Sequence, residues 1–375
     1  MTEPKKLFII TGDYSGDKHA SGVVAELQKK FPELIIEGIG GINLQKTGIR
    51  LFSNQDNMNT MGIGLKVIIE HYALGKRLIN YLKNEFHPDI VLLIDYGAFN
   101  LEISKHLKKA GIKTFYYIPP QIWASRKWRL KTIKKNIDKV FTIFPFEEKF
   151  YKDAGIDSLY VGHPLINELP SPVSRNEFFK RHELDLNKKL IGVFPGSRKF
   201  EIKFLFKIFE GAAKLIKKRL DNVQFVFSLS ENLPDNIYKT DFKVIKGENY
   251  ALLSSSDILI LASGTVALEA CLYETPMIIA YKGPLPFYLV YLLIRSIKNA
   301  CLVNIITNKE IVPEFLMYDA DKNKIANKII GLLNNNEEYL RQKEGLIEAK
   351  KLLSNNAPNE KVADEIIKEL KEWQT

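Results

Sequence analysis

The sequence predicts an α/β protein built from two Rossmann-like, doubly wound halves and a helical C-terminal tail. Three observations carry that expectation. Short apolar runs alternate with amphipathic stretches along most of the chain, the alternation pauses once near residue 165 and restarts, and after Ala320 only helical periodicity remains. Near-continuous apolar strands separated by helices are the pattern of a parallel sheet covered on both faces. A length of 375 residues also exceeds one ordinary domain and favours two. The expected division is 1–165, 166–335 and a helical tail, 336–375.

In the first half, Leu7–Ile10, Leu34–Glu37, Ile90–Ile94, Thr114–Tyr117 and Lys139–Ile143 read as buried strands. Between them, Lys18–Lys30, Leu65–Glu85, Glu102–Lys109 and Trp128–Asn136 carry helical patterns. The stretch Asn167–Arg175 has two prolines and no period, which reads as a linker. Strands then resume at Leu190–Phe194, Gln224–Phe227, Phe242–Ile245, Ile258–Leu261 and Met277–Ala280, with a helix at Phe200–Lys217. The tail reads as three helices, Lys322–Leu333, Glu337–Leu353 and Asn359–Lys371.

Composition narrows the partners. Lys and Arg outnumber Asp and Glu 54 to 44, a net charge of +10. That balance suits a nucleotide, a nucleic acid or an anionic membrane surface, and a merely lysine-rich surface gives the same number. The basic residues are spread over both halves with no aromatic–basic ladder, so no nucleic acid is expected as partner. Cys271 and Cys301 sit in apolar stretches without metal spacing, which fits a reducing cytoplasm. The six histidines show no ligand spacing either, so neither a metal nor another cofactor is expected. Met1–Lys6 is polar and leads directly into a strand, and the longest apolar run, Phe287–Ile294, is too short to span a bilayer. No secretory leader or spanning segment is expected, and any membrane contact would be peripheral.

Doubly wound sheets bind ligands beyond the carboxyl ends of their strands, here expected in the cleft between the halves. In "FPGSRKFEI" (Phe194–Ile202), Gly196 permits a tight turn, Ser197 can cap, and Arg198 offers a forked donor to a phosphate. In "LASGTVALE" (Leu261–Glu269), Ser263, Gly264 and Thr265 can form a neutral anion-binding nest, and Glu269 can accept from ribose hydroxyls. Capped turns with a solvated arginine and a surface glutamate are the plainer alternative. Neither loop has the GxxxxGK[ST] pattern of a phosphate-cleaving loop, which suggests a nucleotide diphosphate held as a leaving group. Asp95 ends the Ile90–Ile94 strand, where it is either a mechanistic carboxylate or a helix cap. The first loop, "TGDYSGD", supplies Asp13, Ser15 and Asp17, of which Asp17 is expected to cap the first helix. Gln121 lies in "YIPPQIWASRKWR" (Tyr117–Arg129), an aromatic and basic mixture that can hold a sugar or phosphate or simply pack. No Ser-His-Asp spacing supports a hydrolase.

Taken together and in order, GDYSGD, MGI (Met61–Ile63), IDYGAFN, PPQIWAS, FPFEEKFY, VGHPL, FPGSR with Glu201, LASGTVALE and Asn304 with Val312-Pro313-Glu314 resemble the bacterial lipid-A-disaccharide synthases. The resemblance spans roughly Leu7 to Leu316. It implies a metal-independent, inverting glycosyltransferase of the GT-B type. Such an enzyme moves 2,3-diacylglucosamine from UDP onto 2,3-diacylglucosamine 1-phosphate, forms a β-1,6-linked disaccharide and releases UDP. By matching motif, Asp95 is the base, with Ser15 and Asp13 beside it. Gly196, Ser197, Arg198, Ser263, Gly264 and Thr265 hold the diphosphate and Glu269 the ribose; Asn304, Met61, Gln121 and Glu201 are further cleft residues.

The chain departs from the family's usual pattern at several places. Gly97 and Ala98 stand for Pro and a second Asp, Pro119 for Ser, Ser125 for Trp, Asp13 for Glu and Met317 for Gln. The resemblance also implies peripheral contact with the cytoplasmic face of the inner membrane, through Pro284–Ile297 or Leu65–Lys83, and a homodimer by exchange of the C-terminal helices. Another UDP-sugar enzyme of this fold (an epimerase, or a transferase with a different acceptor) and a non-catalytic basic binder are the competing readings.

Overall fold

The computed structural model describes residues 4–54, 65–284, 286, 288, 292, 299–353 and 357–372. Two compact units result: Met1–Pro164 with Asn355–Thr375, and Leu165–Ser354. In the first, β1 (Lys6–Ile10), β2 (Ile35–Gly40), β3 (Arg50–Asn54), β4 (Ile90–Ile94), β5 (Lys113–Tyr117), β6 (Lys139–Thr142) and β7 (Ser158–Tyr160) form one sheet. Its order is β3-β2-β1-β4-β5-β6-β7, parallel throughout. Helices α1 (Tyr14–Lys30), α2 (Ile42–Lys46), α3 (Leu65–Tyr81), α4 (Gly97–Lys109), α5 (Arg129–Asn136) and α6 (Pro145–Asp153) connect the strands. All five residues of β4 are buried, and Phe8, Val91, Leu93 and Tyr116 meet Leu78 and Tyr81 of α3 and Leu107 of α4 in a common core. Burial on both faces is why these strands read as unbroken apolar runs.

The second unit opens with α7 (Leu165–Glu168) and α8 (Arg175–Arg181), then runs β8 (Lys189–Phe194), α9 (Lys199–Arg219), β9 (Val223–Leu229) and β10 (Lys243–Lys246). Next come α10 (Asn249–Ser255), β11 (Ile258–Ala262), α11 (Val266–Leu272), β12 (Met277–Tyr281), α12 (Leu302–Thr307) and β13 (Glu314–Leu316). The sheet order β10-β9-β8-β11-β12-β13 repeats that of the first unit, again parallel. Phe206, Phe209 and Ile216 of α9 pack with Ile325, Ile329 and Leu332 of α13 (Lys322–Asn334).

Several boundaries differ from the sequence expectation. Helix α1 starts at Tyr14, not Lys18, because Asp13 is its cap and accepts from the Gly16 amide at 2.7 Å. Asp17, expected in that role, is fully buried and caps a different helix. Its carboxylate accepts from the amides of Gly41 (2.6 Å), Asn43 (2.9 Å) and Leu44 (3.1 Å) at the start of α2. The strands β3, β7 and β13 lacked a strong apolar signal because they flank the sheets and are only partly buried. Helix α3 ends in a π-helical turn, Leu82–Phe86, closed by His87 at a φ of 53°.

The expected tail is not one body. Helix α14 (Asn336–Leu353) stays with the second unit, burying Leu346, Ala349 and Leu353 against α11 and α12. Helix α15 (Pro358–Glu372) joins the first unit, where it packs on α1 through Val362, Ala363 and Ile366. Ion pairs hold it in register. Lys30 reaches Glu360 at 2.8 Å and Asp364 at 2.6 Å, Lys139 reaches Glu365 at 2.7 Å, and Lys113 meets Glu369.

Candidate active site

Both sheets reverse direction at their first strand, and a crevice opens beyond the carboxyl ends of the strands on either side of such a reversal. In the first unit those strands are β1 and β4, paired through Ile10 and Leu93. Their loops carry Asp13 and Ser15 on one side and Asp95 on the other. In the second unit the strands are β8 and β11, paired through Phe194 and Leu261. Their loops are GSR and SGT. The four loops singled out in the sequence thus fall at the two switch points.

Asp95 is held by its backbone. Its amide donates to the Tyr117 carbonyl at 3.1 Å, and its own carbonyl accepts from the Tyr116 hydroxyl and the Asn100 amide group, each at 2.8 Å. Both Asp95 and Tyr96 have a φ of 47°, in the left-handed region that non-glycine residues enter at a cost. The clamp from Tyr116 and Asn100 offsets that cost and leaves the carboxylate with one hydrogen bond from its own segment, to the Tyr96 amide at 2.9 Å. Burial, and then the charge of Asp13, raise the Asp95 carboxyl to about 6. A carboxylate tuned toward neutrality is suited to accept a proton. Nearby, the exposed Ser15 hydroxyl lies 3.2 Å from Nε2 of His19.

Gly12 of the opening loop is required by contact. A Cβ there would stand 2.4 Å from the Tyr96 ring. Tyr96 itself bonds through its hydroxyl to Nε2 of His71 at 2.6 Å, linking the loop after β4 to α3. Neither Tyr96 nor His71 stands out in the sequence as a site residue; only the position beside Asp95 points to the former.

In the second unit a cavity of about 200 Å³ is lined by Gly196, Ser197, Glu201, Ser263, Gly264, Thr265 and Glu269. Gly196 has a φ of 125°, and a Cβ there would fall 2.5 Å from the Glu201 carboxylate. That carboxylate accepts from the amides of Ser197 (2.9 Å) and Arg198 (3.2 Å), so Glu201 props the GSR turn from the first turn of α9. Arg198 does not line the cavity; its side chain is 75% exposed with Nη1 4.0 Å from Glu201. Burial alone lifts the Glu269 carboxyl to about 7. Ser228, Ser230 and Asn249 also line this cavity, and the Ser228 hydroxyl bonds to Asn249. Ser228 lies near the end of β9, Ser230 just beyond it and Asn249 at the start of α10 after β10, and a place at the carboxyl ends of strands is the one signal that could have found them.

Asn304 and Gln121, expected as further cleft residues, have different surroundings. Asn304 is fully buried, and its amide is consumed by the loop that follows α12. It donates to the carbonyl of Val312 (2.8 Å) and to Glu314 (2.7 Å), and accepts from the amides of Ile311 (2.9 Å) and Val312 (2.8 Å). With its hydrogen-bonding capacity spent, it supports β13 instead of facing a ligand. Gln121 is exposed on the loop after β5, where Trp123 donates to the buried Glu147 at 2.8 Å. Met61 lies outside the described residues, as do most of Pro284–Ile297. Among the described residues no cluster of three or more His, Cys, Asp or Glu could hold a metal, and no helix is long and apolar enough to cross a membrane.

The sequence profile of the lipid-A-disaccharide synthetase family matches residues 7–369. The chain belongs to this family. Lipid-A-disaccharide synthase of Coxiella burnetii (strain CbuK_Q154) is 38% identical over 339 residues, covering 88% of this chain and 89% of that one. Lipid-A-disaccharide synthase 1 of Legionella pneumophila (strain Lens) is 33% identical over 383 residues, 99% of each. Among solved structures, UDP-GlcNAc 2-epimerase from Neisseria meningitidis, bound to UDP-GlcNAc, superposes with a TM-score of 0.63 at 14% identity, covering 97% and 100% of the two chains. A glycosyltransferase from Rickettsia africae ESF-5 gives 0.59 at 15% identity, covering 98% and 99%. At that identity the structures establish the fold, GT-B, which glycosyltransferases and epimerases share.

Proposed function

We propose that this member of the lipid-A-disaccharide synthase family joins UDP-2,3-diacylglucosamine to 2,3-diacylglucosamine 1-phosphate in a single displacement for which Asp95 is the base. The observation that carries the reading is a partly buried carboxylate, Asp95, with its backbone clamped at the switch point of the first unit and its carboxyl raised to about 6 by burial and by Asp13. The acceptor's 6-hydroxyl gives its proton to Asp95 as its oxygen bonds to the anomeric carbon. The bond from that carbon to the β-phosphate oxygen breaks, and UDP leaves with both electrons. One displacement inverts the centre and needs no covalent intermediate. Asp13 and Ser15 stand beside the base to meet sugar hydroxyls.

The donor belongs to the second unit. Ser197, Ser263, Gly264 and Thr265 surround the diphosphate, Gly196 lets the backbone approach it, and Arg198 swings in to balance its charge. Glu269 accepts from ribose hydroxyls. Lipid substrates fit a peripheral contact with the cytoplasmic face of the inner membrane, and α3 exposes Ile69 and Tyr72 beside Lys76 and Arg77 for it. Exchange of α15 between two copies is the route to a homodimer that this reading carries.

Incubation with both acylated substrates tests it. One disaccharide phosphate should form per UDP released. Interconversion of the UDP-sugar without disaccharide would place the protein with the epimerases of its fold instead.

A further inference from the structure

The loop after β5 touches the segment of the base twice. The Tyr117 carbonyl, at the end of the strand, accepts from the Asp95 amide at 3.1 Å. Pro120 lies so close to Gly97 that a Cβ there would stand 2.9 Å from the proline ring. Between these points Ile118, at a φ of 57°, turns the chain out of the sheet, and its amide donates to the Phe141 carbonyl of β6 at 3.2 Å. A shift of this loop is therefore passed to the backbone that carries the Asp95 carboxylate.

Two side chains beyond Pro120 hold the loop down. Ile122 is buried in the core of the unit, an apolar contact without direction. Trp123 supplies the direction. Its Nε1 donates to Oε1 of Glu147 at 2.8 Å, and its ring stands edge-on to Phe146 with centroids 4.9 Å apart. Glu147 is 1% exposed, in the first turn of α6. Its Oε2 accepts from the Phe144 amide at 3.2 Å, which caps that helix. Capping needs one oxygen, and the other serves the loop. A buried carboxyl is a costly acceptor, and burial raises this one to about 7. An acceptor kept at that cost, and aimed at one side chain of a loop that bears on the base, points to more than a cap.

We propose that Glu147 and Trp123 are a positioning pair, whose bond holds the loop after β5 against the Asp95 segment and so sets the carboxylate where it meets the acceptor hydroxyl. The inference rests on the glycosyl-transfer reading and adds two residues that act without touching substrate. Each works through the backbone of Asp95, so the effect of losing either is confined to what Asp95 does.

Trp123→Phe keeps an aromatic ring and removes the donor, and Glu147→Gln can serve Trp123 or the Phe144 amide but not both. In the disaccharide assay each should lower kcat by roughly ten- to a hundredfold, the scale on which a misplaced catalytic group is felt, while KM for both substrates and affinity for UDP hold. Neither change should lower turnover further in an Asp95→Asn background. Equal losses in the two backgrounds, a loss carried by KM, or an unchanged kcat overturns the proposal.

The second readout needs no substrate. The thermal midpoint of the protein with Asp95, less that with Asp95→Asn, followed across pH, reports where the carboxyl titrates. Asp13, His19 and Tyr116 face that carboxyl and are untouched by the substitutions. With the loop held, the upper edge of the titration window lies near pH 6, and Trp123→Phe should admit water and move it toward 3.8. A shifted edge in a protein that forms no disaccharide leaves the positioning intact and removes the transfer reading. An edge that stays near 6 overturns the positioning. Should Glu147→Gln fail to fold, Trp123→Phe carries both comparisons.

Discussion

Replacing Asp95 by Asn separates the two consequences of burying a carboxylate at this switch point. Asparagine keeps the volume, tolerates the left-handed backbone at 47°, and can still accept from the Tyr96 amide. What it removes is the ionisable group. In the fold this carboxyl titrates near 6 against an ordinary value of 3.8. Below the lower value both folded and unfolded chains are protonated there, and the residue is neutral toward stability. As pH rises through the window the unfolded chain ionises first, so the fold loses stability until both states are ionised above about 6. About two pH units at 1.36 kcal/mol each puts the cost near 3 kcal/mol, as an order of magnitude. Asp95→Asn should therefore stabilise the first unit at pH 8 by about that much, a rise in thermal midpoint of roughly 2–4 °C per kcal/mol. The gain should vanish by pH 4. Turnover should fall by roughly 10²–10⁴, the usual contribution of a general base. Differential scanning fluorimetry across pH and the disaccharide assay measure the two effects. An equally active variant refutes the base, and one destabilised alike at pH 4 and pH 8 refutes the electrostatic account of its tuning.

Other outcomes follow from the same geometry. In the wild type, kcat/KM should rise with pH through about 6, and Asp13→Asn, which keeps the cap of α1 but removes the neighbouring charge, should move that limb lower. Arg198→Ala should leave stability unchanged, its side chain being 75% exposed, and weaken UDP binding by roughly tenfold or more in calorimetry. Affinity for uridine, which lacks a titrating phosphate, should rise through about pH 7 as Glu269 ionises, and Glu269→Gln should flatten the profile. Asn304→Ala should cost about 2–4 kcal/mol in urea unfolding with little change in substrate KM at permissive temperature, because it strands two amides and Glu314.

Much of the geometry of the two loops that line the cavity of the second unit was legible because it depends on local facts. A glycine at a φ of 125°, a glutamate one turn into the helix, and hydroxyls after a buried strand are visible in GSR…E and SGT…E as written. Buried parallel strands are equally local, since burial on both faces leaves a continuous apolar run. Edge strands such as β3 and β7 escaped notice for the opposite reason.

What the order of residues determined by itself was the alternation, the two halves and the loops that end central strands. Tertiary structure decided the rest, because each remaining assignment depends on how a neighbouring strand, helix or loop folds against the residue. Asp17 looked like the cap of its own helix until β2 brought Gly41 and Leu44 to it. Asn304 looked available until the loop at Ile311 and Val312 used its amide. Asp95 could have been a cap or a base; Tyr116 from β5 and Asn100 of its own segment clamp its backbone, and burial with Asp13 from the first loop raises its carboxyl. A carboxylate's role is set by which donors and charges surround it, and that neighbourhood exists only once the sheet has formed.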